Sequence, residues 1–269
     1  MDDLIAERRV FIREFAPELI VPTGHVFARL GFAQLARYVA RLNEPGRFPP
    51  GLRATVNHLV LRAAARALER HPHFNDFYLT SGRAKHNQAV AVRIPLDARG
   101  KLGFSVISDA ARRDLDELVV DAAARCVEDR ILAERKADKL VRMRRSWPLL
   151  GQFFGAAFLT PMTWLKDYVP AVENWMAERA IRRTGTFAVS NVGTLGVTRV
   201  SSTLVAAAVA DVFVCAPETR QVDPDDGQAR SEMLSVGVSF DLRLFEPYEA
   251  AAFLRDMIEL LAEPEQRLV

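Results

Sequence analysis

Cysteine is scarce. The chain holds two, Cys126 and Cys215, in separate stretches and without metal-ligand spacing. That excludes a disulfide-stapled scaffold and a cysteine-built metal centre, and a reduced, cytoplasmic protein with no metal is the expectation. Net charge is nearly absent as well: 36 basic residues against 34 acidic ones leave +2, which makes no electrostatic case for nucleic acid. The N-terminal MDDLIAERR has no apolar centre, so a signal peptide is not expected there. Internal repeats and low-complexity tracts are missing too. Histidine is limited to five positions, which keeps the search for a proton acceptor short.

What remains is an ordinary globular composition, 49% hydrophobic and 26% charged over 269 residues. That is long enough to bury a substantial core. A single domain over residues 1–269 is expected, with an apolar insertion at about 141–180. Residues 1–20 read as an amphipathic helix ended by Pro22. Gly24 to Leu35 reads as a strand, with Val26, Ala28 and Leu30 alternating, that enters a helix. The segment NEPGRFPPG at 43–51 is loop. Thr55 to Glu69 carries an apolar stripe through Val56, Leu59, Val60, Ala63, Ala64 and Leu68, and stops where Pro72 forbids continuation. Short strands follow at 89–95 and 102–107. A long charged helix spans 114–139, with Leu115, Leu118, Val119, Ala122 and Ile131 as its apolar positions. DPDDG at 223–227 is a turn by its chemistry.

The most informative stretch is 234–254, LSVGVSFDLRLFEPYEAAAFL. Leu234, Val236, Val238 and Phe240 alternate as one buried face of a strand. Asp241-Leu242-Arg243 breaks the alternation, and helical spacing resumes from Glu249. This resembles the last motif of the chloramphenicol acetyltransferase-like superfamily, and in particular the catalytic core of the dihydrolipoyl acyltransferases of 2-oxoacid dehydrogenase complexes. There a strand runs into Asp-His-Arg-Val-Val-Asp-Gly and then a helix. In this chain the flanking Asp241 and Arg243 match, Leu242 stands in the catalytic histidine's place, Glu246 in the aspartate's and Pro247 in the glycine's. GTFAVSNVG from Gly185 is similar to the family's Gly-Thr-Phe-Thr-Ile-Ser-Asn-Leu-Gly. ALERHPHFND matches a helix ending in His-Pro, two residues and Asn, and LGFSVIS puts Ser105 where the family has proline. The resemblance covers roughly residues 20–140 and 180–265.

It implies an α/β two-layer sandwich, a central mixed sheet covered by helices, assembled as a homotrimer with the site between subunits and with larger assemblies open. It implies acyl transfer involving coenzyme A or acyl-coenzyme A as substrate, or a carrier-bound acyl group. Ser190 would donate to the oxyanion, and Asn191, Asp241 and Arg243 would support the turn. Leu242 cannot take a proton, so Ser190 and Glu246 are the remaining catalytic candidates. No lipoyl-bearing domain fits the length, and Lys139, on a helical pattern, is not a lipoyl attachment site. Among the histidines, His58, His71 and His73 read as structural, His86 as solvated, and His25 keeps a functional alternative. Three readings stay open: an attenuated acyltransferase, a silent trimeric scaffold or binding partner for an acyl-processing complex, and an accessory protein touching a membrane surface through the apolar run Trp147 to Trp164.

Overall fold

The computed structural model describes residues 21–78, 84–87, 89–98, 101–146, 185–201, 208–221 and 230–268, with a few positions between them. The segments read as an N-terminal helix (1–20), an apolar insertion element (147–164) and a turn (223–227) lie outside the described residues.

Alternation and helical period decide the elements. β1 (Thr23–Gly31) runs directly into α1 (Phe32–Leu42), as the Gly24 to Leu35 pattern requires. α2 (Val56–Arg70) is buried on nearly every side, from Leu59 through Leu68. Even its Arg62 is buried, and the guanidinium is satisfied by donating to the carbonyls of Ala110 and Ala111 at 3.0 and 2.8 Å. A single 3-10 turn (Pro72–Asn75) follows, then the two-residue strands β2 (Phe77–Tyr78) and β3 (Ala84–Lys85). β4 (Ala91–Ala98) and β5 (Lys101–Ser108) form a hairpin. α3 (Leu115–Ser146) runs past the expected end at Lys139. Leu115, Leu118, Val119 and Ala122 are buried as the pattern demands, but Ile131 is 44% exposed, because Asp129 and Ala133 are the residues of this part of α3 that face Ser105 and Gly103 of β5.

The remaining elements are β6 (Phe187–Asn191), β7 (Ala210–Val214), β8 (Glu218–Gln221), β9 (Arg230–Asp241), α4 (Pro247–Ala262) and α5 (Pro264–Arg267). The seven-stranded sheet has the order β1-β9-β7-β6-β4-β5, with β8 added to β9. β6 is parallel to β4 and β7, and the other pairings are antiparallel. The sheet is therefore mixed, with helices packed on it: an α/β two-layer sandwich.

One sheet face is apolar and meets the helices. Leu234, Val236, Val238 and Phe240 of β9 are all buried, as are Phe253, Leu254, Met257 and Leu261 of α4. The opposite face buries polar groups beside aromatic rings such as Phe213: Ser235, Ser239 and Asp241 on β9, Asp211 on β7, Arg93 on β4. Arg93, Ala188 and Asp211 sit level on successive strands. The small alanine lets the guanidinium reach across to Asp211 Oδ1 at 3.3 Å. Burial pushes the Asp211 carboxyl up, and Arg93 opposes that rise. A buried pair of this kind gains little net stability, but losing one partner strands the other.

Candidate active site

The stretch 241–249 is positioned from both sides. Asp241 N–H donates to the carbonyl of Val209, and Leu242 N–H to that of Pro22, so the end of β9 is tied to both flanking segments. The Leu244 and Phe245 amides then donate back to the Asp241 carbonyl, which closes the turn. Phe245 anchors it below. Its ring stacks on Phe74 at 4.1 Å between centroids, and Phe74 stacks in turn on Phe253 at 5.1 Å. Such pairs add about 0.5–1.5 kcal/mol each beyond area burial. Through Phe74, the turn is fixed to the His71-Pro72 corner.

Asp241 is buried and Arg243 half-exposed. The carboxylate accepts the Arg243 backbone N–H at 2.9 Å, the Nε–H at 3.0 Å and an Nη2–H at 2.6 Å. The hydrogen bonds to Asp241 raise the Arg243 pKa further, so the guanidinium stays charged. Both groups are spent on the turn. Leu242 is 46% exposed, and its Cδ2 lies 2.9 Å from where a Cβ on Gly24 would stand, so the side chain folds over the glycine at the start of β1. Pro247 is the first residue of α4, where its missing N–H costs nothing. Glu246 is the N-cap residue. It forms a capping box with Glu249, whose Oε2 accepts the Glu246 N–H at 2.8 Å.

Ser190 and Asn191 end β6, both partly exposed. Successive side chains of a strand point to opposite faces, so Ser190 lies on the polar face and Asn191 on the helix side. Asn191 Oδ1 accepts the Gly193 N–H at 2.9 Å and closes the strand end. Ser190 is paired with Phe213, which is paired with Gly237. Leu242 lies five residues beyond Gly237, just past the end of β9, at the other end of the sheet. At about 3.4 Å per residue and about 4.8 Å per strand, Ser190 and Leu242 of one chain are roughly 19 Å apart. One chain does not bring these two positions together.

Each of the five histidines has a polar partner. His58 Nδ1 accepts the Thr55 N–H at 3.0 Å, which makes it the capping partner of α2; burial pushes its pKa down to about 4. His71 Nε2 is 3.0 Å from Asp256 Oδ2 on α4. His25 Nδ1 is 2.7 Å from the Ser239 hydroxyl, and burial lowers its pKa. His73 and His86 both contact Asp76. Sequence reasoning left out Asp76 altogether. It also missed the work of Asn75, whose amide donates to the carbonyls of Asn87 and Ala89 while its Oδ1 accepts the Thr186 hydroxyl. The asparagine after His-Pro is thus the joint between the 3-10 turn, the 86–89 segment and the approach to β6. Ser105 is buried and donates to Asp129 Oδ2 at 2.7 Å, beside Cys126, whose thiol burial pushes up.

Comparison with known proteins bears directly on this arrangement. Residues 166–269 match the family described as 2-oxoacid dehydrogenases acyltransferase (catalytic domain). No curated protein compared with the chain matches it. Among solved structures, the cubic core of the pyruvate dehydrogenase multienzyme complex superposes with a TM-score of 0.70 at 20% identity, covering 97% of this chain and 90% of that one. A probable dihydrolipoamide acetyltransferase from Listeria monocytogenes gives 0.69 at 16% identity, covering 98% and 95%. The dihydrolipoamide acetyltransferase of Azotobacter vinelandii gives 0.69 at 20% identity, covering 99% and 90%. Residues 166–269 therefore carry the signature of an acyltransferase catalytic domain, and the chain as a whole has the fold of the dihydrolipoyl acyltransferase cores, as its motifs implied.

Proposed function

We propose that this protein binds acyl thioesters, with coenzyme A or a carrier thiol as partner, at a site completed between protomers of a trimer, and that it transfers the acyl group slowly. The observation that carries this reading is the placement of Ser190 and the Leu242 turn at opposite ends of one sheet. A reaction centre that uses both must take them from two chains. For the Azotobacter vinelandii relative, a serine, a histidine and an asparagine have been investigated for roles in catalysis, and the spacings between those three equal the spacings between Ser190, Leu242 and Glu246 here. That correspondence supports Ser190 as the oxyanion donor and leaves an aliphatic side chain where the base would be.

The chemistry follows from what is missing. The attacking sulfur forms a new C–S bond to the thioester carbonyl, negative charge collects on the carbonyl oxygen, and collapse breaks the old C–S bond. The Ser190 hydroxyl would donate to that oxyanion, an interaction worth about 3 kcal/mol where such donors have been removed. The thiol proton has no acceptor on Leu242, so it must leave to solvent before attack. A free thiol with a pKa near 8.5 is about one-tenth ionised at pH 7.5, so a thiol acceptor loses less than a hydroxyl would. Glu246, held in its capping box, is a poor substitute: a proton-accepting role would compete with the helix N-terminus for its carboxylate.

Restoring the acceptor tests the reading. Leu242→His is expected to raise acyl transfer from acyl-coenzyme A to a small thiol by about 10²-fold or more, the usual range for a positioned base. Unchanged activity in that variant, with coenzyme A still bound, would reject the site. The engagement of Glu246 and the apolar Leu242 also favour a second reading, a silent trimeric scaffold. Coenzyme A binding with no measurable turnover, before or after Leu242→His, selects it.

A further inference from the structure

A three-residue cluster lies away from the site just described. His73, Asp76 and His86 each offer one ligand atom, and the three atoms all lie within 4.8 Å of one another. The backbone places all three. His73 is on the 3-10 turn, and the Asp76 N–H donates to its carbonyl at 3.2 Å. The β2–β3 ladder pairs Phe77 with Lys85 and Tyr78 with Ala84, so the next step outward sets Asp76 opposite His86. The Asn75 and Asn87 side chains then clasp the two segments, each amide donating to a carbonyl across the gap.

Their environments are unequal in a way that suits a bound cation. The Asp76 side chain is 2% exposed, whereas the two imidazoles are 70% and 71% exposed. Both rings turn Nδ1 to the same oxygen, Oδ2, at 3.2 and 2.8 Å. Among the described residues, Lys and Arg make no ion pair with this carboxylate; its basic neighbours are the two imidazoles. Burying an ionised carboxylate is costly unless it is paired or coordinates a metal. The separations are informative as well. Ligand atoms about 2.1 Å from a shared ion, at tetrahedral or octahedral angles, stand about 3.0–3.4 Å apart. The two contacts to Oδ2 fall close to that spacing, and the exposed rings can close the remaining gap by side-chain rotation.

We propose that His73, Asp76 and His86 form a binding site for one divalent transition-metal ion, with two imidazole nitrogens and one carboxylate oxygen as protein ligands. Zinc is the favoured occupant, since this donor set with open positions suits it and hard ions such as magnesium prefer all-oxygen shells. The site is independent of the acyl-transfer reading.

Titration calorimetry of the tag-free full chain with zinc chloride, in a non-coordinating buffer at pH 7.5, tests it. One ion per chain is expected. His73→Ala and His86→Ala change exposed side chains and each leaves the other imidazole on Asp76, so the metal-free variants should remain folded by circular dichroism, with at most a modest drop in melting temperature. Each should weaken binding at least about tenfold, the lower end of what losing even a supporting partner costs at metal sites. The double variant should show no saturable uptake. Cobalt(II) substitution gives a second readout: visible d–d bands without a thiolate charge-transfer band place the ion on nitrogen and oxygen. Binding that survives the double variant, a thiolate band pointing to Cys126, or no saturable uptake by the original chain would overturn the proposal.

Discussion

Asp241 and Arg243 differ in what they contribute although they face each other. Arg243 is half-exposed, so its half of the pair is screened by solvent, and Arg243→Ala should cost about 1 kcal/mol or less. Asp241 is buried and accepts a backbone N–H as well as the guanidinium. Asp241→Ala leaves those donors unsatisfied and should cost about 2–3 kcal/mol. Urea denaturation of the two variants side by side checks the order; equal losses would mean the turn does not depend on the carboxylate. The turn residues were legible from sequence because Asp241 and Arg243 match the family motif on either side of Leu242. The cluster around Asp76 was not. His73 and His86 read as an isolated helix-end residue and an isolated turn residue, and no metal was expected. Only the register of a two-residue ladder, which no periodicity announces, sets them on either side of a buried carboxylate.

At the scale of elements, α2 carries a pH sensor in its cap. His58 Nδ1 must be unprotonated to accept the Thr55 N–H, and burial holds its pKa near 4 against an ordinary 6.5. Because the folded value is the lower one, protonation favours the unfolded chain. The contribution is therefore present above about pH 6.5 and is lost as pH falls from there toward 4. Between pH 7.5 and 5 the full linkage is about 2 kcal/mol, and the ring's partial exposure brings the expected loss to about 1 kcal/mol. His58→Gln keeps an acceptor at the same position without a titrating group. Its unfolding free energy should fall less over that interval, and an identical fall would remove His58 as the cause. Elements with one dominant signal were read correctly, namely β9 from alternation, α2 from its stripe, and the stop at Pro72 from the missing N–H. α3 extends past the expected end, and Ile131 is exposed although helical spacing marks it apolar, because Asp129 and Ala133 take the positions against β5 there.

For the whole molecule, the sheet order and register matter more than any one motif. Two motifs that the family resemblance places at one centre between subunits stand roughly 19 Å apart within a chain, on opposite ends of the sheet. Sequence could name both halves but could not show their separation, because β9 runs antiparallel to β6 and β7 only by virtue of the tertiary fold. If no side chain takes the thiol proton, residual transfer should rise about tenfold per pH unit below about 8.5 and level off above it, as the thiolate fraction does. Leu242→His should move that plateau down toward the imidazole pKa, near 6.5. A steady-state pH profile of both proteins decides this; a flat profile for the unaltered chain would reveal a base that this account lacks.

The most direct measurement of a shared site is cross-linking of a chain carrying both Ser190→Cys and Leu242→Cys with a short bis-maleimide, read on a denaturing gel. Joining between chains, giving covalent species up to the trimer that neither single variant forms, is the predicted result. A protein that stays monomeric, or chains that never join through these two positions, would contradict it.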